Sequence, residues 1–279
     1  MYIIVLLFAL VRKGLMRLIT LPLLLIFTLS FATIMLIIML LKANENRVMI
    51  HQLEFNTFPP DLDSLRIFFV SDIHRRTVTD ELLNKIPNQV DVVMIGGDLT
   101  ESGVPFSRVE SNIRALTKLA PVYFVYGNND YEVSQETLET ILERNNVTIL
   151  KNTCKELTSS AGGRIVLLGI EDMSGERDRL DLALADPKQS KADFKILLSH
   201  NPEIHQKISQ NDCISLVLSG HTHGGQIRFL RWGLYKKGKL HNLRNTKLLV
   251  SNGYGTTALP LRLGAPAETH YLHLKRKNR

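Results

Sequence analysis

Two histidines separated by one residue, His221 and His223, have a spacing that could bind a metal. They follow the apolar run Ile214–Leu218, which is typical of a buried strand. Gly220 and Gly224 bracket the pair, and glycine allows the backbone to turn tightly and approach a ligand closely. The pattern fits either two imidazoles directed at one point or a glycine turn with two solvated histidines. The other strand ends decide between these readings.

Four further apolar runs are each followed by side chains that can ligate metals. An Asp after a strand commonly caps the next helix, and an Asn in a turn often only relieves backbone strain. Each residue alone is therefore weak evidence for a metal site. Because ligand sites collect where loops leave the carboxyl ends of strands, all of them together indicate one site. The residues are Asp72 and His74 after Ile67–Val70, Asp98 after Val92–Ile95, Asn128, Asn129 and Asp130 after Val122–Val125, and His200 after Lys195–Ser199.

The donors are carboxylate and amide oxygens together with imidazole nitrogens. This set is large enough for two divalent cations and too large for one. The chain has 2 cysteines, Cys154 and Cys213, which are too few and too far apart in sequence for a disulfide framework. The lack of cysteine ligands argues against a structural zinc site.

The order of apolar runs predicts an α/β fold. In the first half, strands alternate with the helical stretches Asp80–Ile86, Ser107–Leu119 and Gln135–Leu142. The second half is richer in strands, including Arg164–Gly169, Lys247–Ser251 and Thr269–Leu274. We expect two mixed β-sheets packed as a sandwich and flanked by helices.

The N-terminal part predicts a membrane anchor. Leu18–Leu41 carries no charged residue and is long enough to span a bilayer as a helix. We expect an anchor over residues 1–43 with a transmembrane helix at about 18–41, a linker over 44–62, and a catalytic domain over 63–279. A cleaved signal peptide is the main alternative, but the run is too long and no A-x-A site follows it.

The basic residues before the run set its expected orientation. Arg12, Lys13 and Arg17 precede it, and the positive-inside rule then puts the N-terminus in the cytoplasm. The expected location is the cell membrane, with a single-pass protein and an extracytoplasmic catalytic domain.

The motif order D-x-H, G-D, G-N-x-D, H, G-H-x-H, from Asp72 to His223, resembles that of the calcineurin-like metallophosphoesterases. The downstream stretches Gly224–Ile227, Ser251–Thr257 and Leu259–Arg262 are similar to those of the membrane-tethered or exported bacterial branch of that family. The resemblance implies the calcineurin-like phosphoesterase fold and a dinuclear hydrolase.

The resemblance also implies a role for each ligand. One cation would be held by Asp72, His74 and His223, the other by Asn128, His200 and His221, with Asp98 bridging them. A hydroxide shared by the two cations would attack a phosphoester, and a phosphodiester is favoured over a monoester. Manganese is the preferred metal, with iron and zinc as alternatives.

This sequence departs from the family pattern at two places. Asn129 stands where relatives usually carry a histidine that stabilises the transition state and could protonate the leaving group, while Asp130, which would orient that histidine, is retained. Either another group such as His205 supplies the proton, or the natural leaving group needs none. Arg75 and Arg76 follow the first motif and could bind a second anionic group of the substrate or be solvated loop charges.

Composition leaves several alternatives open. The net charge of +7 favours anionic surroundings such as phosphate substrates, acidic polymers or lipid headgroups. The sequence has no nucleic-acid-binding motif, so we expect no nucleic acid as the primary partner. Besides a membrane-anchored phosphohydrolase, the sequence allows a catalytically weakened metal-binding or partner-binding domain, and a hydrolase of lipid or cell-wall phosphoesters at the membrane surface. The oligomeric state is not predicted.

Overall fold

The structure is a computed structural model of the chain, and it describes residues 2–87, 89–158, 163–186, 194–230 and 232–277. The chain divides into two units, residues 1–41 and residues 42–279. The first is part of one long helix, and the second is an α/β domain.

The N-terminal helix, α1, covers Tyr2–Ala43. Its segment Val11–Ala43, 33 residues long, is apolar enough to cross a membrane. At 1.5 Å per residue this segment is about 50 Å long, which exceeds the ~30 Å hydrocarbon core of a bilayer. The predicted span at 18–41 lies within it, and the apolar stretch before residue 11 continues the same helix. By length and composition α1 is a membrane-span candidate, although a signal sequence near an N-terminus meets the same criteria.

Within the described residues the α/β domain contains four further α-helices, each close to its predicted position where one was predicted. They are α2 (Asp80–Leu83), α3 (Phe106–Thr117), α4 (Gln135–Arg144) and α5 (Leu180–Ala185). The strands in the described residues are β1 (Val48–Phe55), β2 (Leu65–Val70), β3 (Val92–Gly96), β4 (Val122–Val125), β5 (Thr148–Ile149), β6 (Thr153–Thr158), β7 (Arg164–Gly169), β8 (Phe194–Leu198), β9 (Ile214–Ser219), β10 (Arg228–Phe229), β11 (Trp232–Gly233), β12 (Leu240–Asn242), β13 (Lys247–Val250) and β14 (Thr269–Arg276).

All of these strands except β10 and β11 form two six-stranded mixed sheets. The first has the order β1-β14-β2-β3-β4-β5, and the second has the order β12-β13-β9-β8-β7-β6. Strands β2, β3 and β4 run parallel in the first sheet, and β7, β8, β9 and β13 run parallel in the second. Strands β10 and β11 form a separate antiparallel ribbon.

Side-chain alternation along the strands builds the layers. In β2, Ile67 and Phe69 belong to the core between the two sheets, whereas Phe68 and Val70 belong to the core beneath α2, α3 and α4. A third core packs the outer face of the second sheet against α5. The two-sheet sandwich flanked by helices predicted from the sequence is therefore confirmed, and its rigid layers fix where each strand ends.

The predicted linker over residues 44–62 is not a linker in the structure. Val48–Phe55 is the edge strand β1 and pairs in parallel with β14 over its whole length. The guanidinium group of Arg76 donates hydrogen bonds to the carbonyl oxygens of Asn44 and Glu45 and to Asn46 Oδ1, at 2.8–3.2 Å. The mixed polar and apolar composition of this stretch suits an edge strand with one exposed face, and this was misread as a linker.

The position of β1 and of the Arg76 contacts predicts how far the chain can be shortened from its N-terminus. A variant beginning at Lys42 keeps β1 and the partners of Arg76, so it should be monodisperse and unfold cooperatively. A variant beginning at Gln52 loses half of β1 and should melt roughly 5–12 °C lower, as a loss of a few kcal/mol implies for a domain of this size. Thermal melts of both variants by circular dichroism make the comparison. Equal melting temperatures would show that residues 42–51 contribute nothing to the fold.

Candidate metal centre

The side chains predicted as metal ligands meet where the two sheets present the carboxyl ends of their parallel strands. They come from the loops that follow β2, β3 and β4 in one sheet and β8 and β9 in the other. This is the edge at which α/β sheets collect ligands. The strand ends therefore converge from both sheets of the sandwich.

A first group of donors comprises Asp72, His74, Asp98 and His223, all of them buried. Each contributes one ligand atom, and these atoms lie within 4.8 Å of one another. The Nε2 atoms of His74 and His223 are 3.1 Å apart, and His74 Nε2 lies 3.6 Å from Asp98 Oδ2. This spacing would allow all four atoms to contact one cation.

A second group lies on the other side of Asp98. Asn128 Oδ1 is 3.2 Å from His200 Nε2 and 3.0 Å from His221 Nδ1, and the two imidazole nitrogens are 3.1 Å apart. Asp98 Oδ2 lies 3.3 Å from His200 Nε2. The same carboxylate oxygen thus faces both groups, as a bridging ligand would. The other oxygen, Asp98 Oδ1, accepts a 2.8 Å hydrogen bond from the backbone N–H of Asn129, which fixes the orientation of the carboxylate.

The chemistry of these donors fits divalent cations. Asp72 Oδ2 is buried and has no hydrogen-bond partner among the described residues, which is costly for a carboxylate oxygen unless a cation faces it. Both groups combine imidazole nitrogens with oxygen donors, a set that suits manganese, iron and zinc alike. The residues therefore form a candidate divalent metal-binding site, and the donor set does not select among these metals.

Hydrogen bonds behind the imidazoles set which ring nitrogen faces the centre. His200 Nδ1 lies 2.9 Å from the Gly96 carbonyl oxygen, so Nδ1 carries a hydrogen and Nε2 is the nitrogen that faces the second donor group. His74 Nδ1 lies 2.9 Å from Glu101 Oε2, so a carboxylate stands behind that ring while its Nε2 faces the first group. Such outer contacts raise the basicity of a ligating imidazole and hold its plane.

Burial and neighbouring charges shift the pKa values of His223 and His200 in opposite directions. Burial lowers the pKa of His223 to about 4, so this ring is neutral at neutral pH. Burial also acts to lower the pKa of His200, but the charge and hydrogen bond of Asp98, together with the charges of Asp72 and Asp172, outweigh it and raise that pKa to about 10. Without a cation, a proton on His200 thus balances the charge of Asp98, and a metal ion must displace that proton to bind.

Backbone strain accompanies this arrangement. The candidate ligands Asp72, His74, Asp98, His221 and His223 all have φ between 48° and 70°. Non-glycine residues adopt this left-handed region rarely, at a cost of about 1–3 kcal/mol each. Hydrogen bonds between the loops, including Asp72 N–H to the Gly97 carbonyl oxygen at 2.9 Å, hold the strained turns in place. The rest of the domain therefore stabilises a site that is locally unfavourable.

The glycines of the motifs leave room for the carboxylates. A Cβ atom on Gly220 would clash with Asp72 Oδ2 and Ser71 Oγ, and one on Gly127 would clash with the backbone and carboxylate of Asp98. The loops can approach each other this closely only without a side chain at these two positions.

Asn129 and Asp130, predicted as catalytic residues, occupy different environments. Asn129 lines a cleft beside Asp98, and its Oδ1 accepts a 2.8 Å hydrogen bond from Asn128 Nδ2, which directs the oxygen of Asn128 toward the metal centre. Asp130 is fully buried and accepts hydrogen bonds from the backbone N–H groups of Thr100 and Gly127 at 3.0 and 2.8 Å. Burial and the charge of Asp98 raise the pKa of Asp130 to about 7. Asp130 thus joins two ligand loops and does not face the cleft.

The two arginines predicted to bind substrate also differ. Arg75 is mostly exposed and forms an ion pair with Glu101. Arg76 is held by the backbone of residues 44 and 45 and by Tyr254, whose carbonyl oxygen accepts from it at 2.7 Å and whose ring lies 3.6 Å beneath its guanidinium carbon. Arg76 is therefore occupied by structural contacts. Of the two arginines, Arg75 is the remaining candidate for binding an anionic group of the substrate.

Sequence reasoning missed two charged residues that support the centre. Glu101 contacts both His74 and Arg75. It lies only three positions beyond Asp98 in the sequence, and this proximity to a predicted ligand could have identified it. Arg262 is completely buried, donates hydrogen bonds to the carbonyl oxygens of Asn252 and Ala265 at 2.7 and 2.9 Å, and lies 3.2 Å from His223 Nδ1. Arg262 was noted only as part of a family-like stretch.

The family comparison agrees with this geometry. Residues 65–225, more than half of the 279 residues, match the family described as Calcineurin-like phosphoesterase. The chain therefore belongs to the calcineurin-like phosphoesterase family, as its motifs suggested.

Similar proteins come from bacteria and vertebrates. The chain is 44% identical over 230 residues to the uncharacterized protein YpbG of Bacillus subtilis, covering 80% of this chain and 88% of that one. It is 32% identical to an uncharacterized metallophosphoesterase of Helicobacter pylori, covering 77% of this chain and 60% of that one. It is 31% identical to a transmembrane protein with metallophosphoesterase domain of Danio rerio, covering 84% of this chain and 58% of that one. The chain thus spans less than two thirds of the last two relatives.

The shared carboxylate predicts the metal content of a variant. Asp98→Asn keeps the size of the side chain but removes the charge that both donor groups face. We expect the wild-type full chain in detergent to bind two cations and this variant to bind at most one. Elemental analysis after loading with Mn²⁺ measures this ratio. Asp178→Asn is a matched control, because Asp178 is a buried carboxylate paired with Lys207 at 2.6 Å. Two cations in both variants would rule out a bridging role for Asp98.

Proposed function

We propose that this chain is a dinuclear metal-dependent phosphohydrolase that acts on phosphodiesters in preference to monoesters and is anchored in a membrane by its N-terminal helix. The observation that carries the proposal is the pair of donor groups sharing Asp98 Oδ2, at 3.6 Å from His74 Nε2 and 3.3 Å from His200 Nε2. One donor group alone would suit a structural ion. Two groups with a common carboxylate suit the two-metal chemistry of phosphoester hydrolysis.

The proposed ligands divide as the motifs suggested. Asp72, His74 and His223 would hold one cation, Asn128, His200 and His221 the other, and Asp98 both. Two divalent cations, when bound, supply Lewis-acid activation of water and neutralise the charge of the phosphoryl group. Manganese is our preferred metal.

The cleft beside the centre suggests how a substrate lies. It has a volume of about 480 Å³, and its lining includes the candidate ligands Asp98, Asn128 and His221. The apolar side chains of Leu234 and Leu259 also line it. The phosphoryl group would contact the ligands, and the apolar side chains would face the organic part of the ester.

The chain's own residues then have distinct tasks. Asn129 would donate a hydrogen bond to the phosphoryl group from its amide, while its Oδ1 keeps Asn128 correctly oriented. Arg75, on the exposed side of Glu101, could reach a second anionic group of the substrate. His205 lies in a separate groove with Thr57 and Asn242, so it is a poor candidate for the proton donor. The leaving group would therefore depart with little protonation by a side chain.

Membrane attachment has independent support. The apolar segment of α1 is long enough to span a bilayer, and a relative from Danio rerio is named as a transmembrane protein. Arg12, Lys13 and Arg17 favour a cytoplasmic N-terminus and hence an extracytoplasmic domain.

A second candidate function is a metal-binding or partner-binding domain with weakened turnover. Asn129 favours it, because an amide cannot deliver a proton and general acid catalysis is typically worth about 10²–10⁴-fold. One assay separates the two functions. The full chain in detergent, stripped with chelator and reloaded with Mn²⁺, should hydrolyse bis(p-nitrophenyl) phosphate faster than p-nitrophenyl phosphate and be inactive before reloading. A protein that holds two cations but cleaves neither ester would be the binding domain.

Asn129 offers a sharper kinetic prediction. Asn129→His should raise kcat/KM more for alkyl phosphoesters than for nitrophenyl ones, since an alkoxide needs a proton to leave and a nitrophenolate does not. Asn129→Ala should cost about 1–3 kcal/mol of transition-state stabilisation, the value of a hydrogen bond to a charged group. The measurement is kcat/KM for both ester types across the three proteins, with metal content checked for each. If the histidine variant gains nothing on alkyl esters and the alanine variant loses nothing, residue 129 lies outside the reaction centre.

A further inference from the structure

An exposed apolar ribbon stands beside the candidate metal centre. We use the name apolar ribbon for residues 227–230 and 232–235, in which β10 and β11 pair at Phe229 and Trp232. Phe229 is 74% exposed, Leu230 82%, Trp232 80% and Leu234 85%. Large apolar side chains that are so exposed and so close together are unusual on a soluble domain and typically mark an interaction surface.

The ribbon is fixed to the wall of the cleft. Arg228 donates hydrogen bonds from its guanidinium to the carbonyl oxygens of Gly224 and Tyr235 at the base of the ribbon, and from its backbone N–H to the Leu263 carbonyl oxygen at 2.8 Å. Gly224 directly follows His223. Leu234 lies in the ribbon and also lines the cleft. Whatever binds the ribbon is therefore held next to the metal centre.

The surroundings of the ribbon are basic. No acidic residue occurs from Gln226 to Val250, whereas the same stretch contains Lys236, Lys237, Lys239 and Arg244, all exposed. An apolar tip with a basic flank matches the anionic lipid interface, where apolar and tryptophan side chains enter the headgroup boundary and lysines contact the headgroups. A second copy of the chain fits less well, because a symmetric pair of ribbons would bring these like charges together.

We propose that the apolar ribbon inserts into the interface of an anionic bilayer and that the substrate is a phosphoester carried by a lipid of that bilayer. The ribbon would place the opening of the cleft at headgroup depth, where Leu234 and Leu259 in its lining receive the lipid part. The statement about substrate rests on the function proposed above. The statement about docking does not.

Trp232 is the only tryptophan of the chain, so its fluorescence reports on the ribbon alone. The full chain is reconstituted in nanodiscs of phosphatidylcholine with phosphatidylglycerol, with or without brominated acyl chains. We expect Trp232 to emit at a shorter wavelength than a tryptophan exposed to water. We also expect brominated lipid to quench this emission. Nanodiscs of phosphatidylcholine alone should give weaker quenching. Emission typical of water, with no quenching in either lipid, would overturn the docking proposal.

A variant tests whether docking serves catalysis. Phe229→Ser with Leu230→Ser removes two exposed apolar side chains that do not line the cleft, and Ile50→Ser with Leu182→Ser is the matched control at exposed sites elsewhere. On a phosphatidyl nitrophenyl diester in anionic vesicles, the ribbon variant should lose about tenfold in kcat/KM, as expected when two apolar anchors no longer enter the interface. On soluble bis(p-nitrophenyl) phosphate it should match the wild type and the control. Equal losses on both esters, or no loss on either, would contradict the proposal.

The ester assays test the proposed function, and the Trp232 fluorescence tests the docking, so each proposal can be contradicted independently of the other. If metal-loaded wild type cleaves neither ester, the proposed function is wrong, while Trp232 quenching still decides whether the ribbon meets lipid. If Trp232 emission shifts with protein concentration in detergent and not with lipid, the ribbon binds a second copy and the bilayer is excluded.

Discussion

The carboxylate of Asp98 faces two groups of donors that combine ring nitrogens with side-chain oxygens, and the surrounding structure depends on keeping it there. One of its oxygens is fixed by the backbone of Asn129, so the other faces both groups. A buried charge of this kind is tolerated only with compensating partners. Without a cation, a protonated His200 provides part of that compensation, since the carboxylates around it, Asp98 above all, raise its pKa to about 10. A cation that binds at Asp98 therefore replaces a proton as the partner of this charge.

The strained backbone of the ligand loops explains why several residues outside the centre contact them. Five candidate ligands have left-handed backbone conformations, and their loops cannot be stable alone. Asp130 joins the loops after β3 and β4 by accepting from both backbones, and Arg262 fills the space behind His223 with hydrogen bonds to several carbonyl oxygens. Glu101 orients His74. The two sheets, packed through a shared apolar core, provide the rigid frame that holds these strained loops.

The lining of the cleft at the centre combines two kinds of side chain. It includes candidate ligands and the apolar residues Ile227, Leu234 and Leu259. Ile227 and Leu234 also belong to the exposed ribbon, and the adjacent sequence carries basic and no acidic side chains up to Val250. The metal centre is therefore next to an apolar and basic surface. The candidate membrane span at the N-terminus is consistent with such a setting.

The sequence alone determined the α/β class, the apolar N-terminal segment and the set of candidate ligands, because each depends on local signals: hydrophobic periodicity, the length of an apolar run and donor residues directly after strands. It failed at residues 44–62, where an edge strand with one exposed face has no strong pattern, and the parallel pairing of β1 with β14 links residues more than two hundred positions apart. Only the tertiary structure decided that Asp98 Oδ2 faces both donor groups, that Arg76 is occupied by the chain around Tyr254, and that Glu101 and Arg262 support His74 and His223. Each of these depends on distances between loops of different strands, and those distances are set by how the two sheets pack.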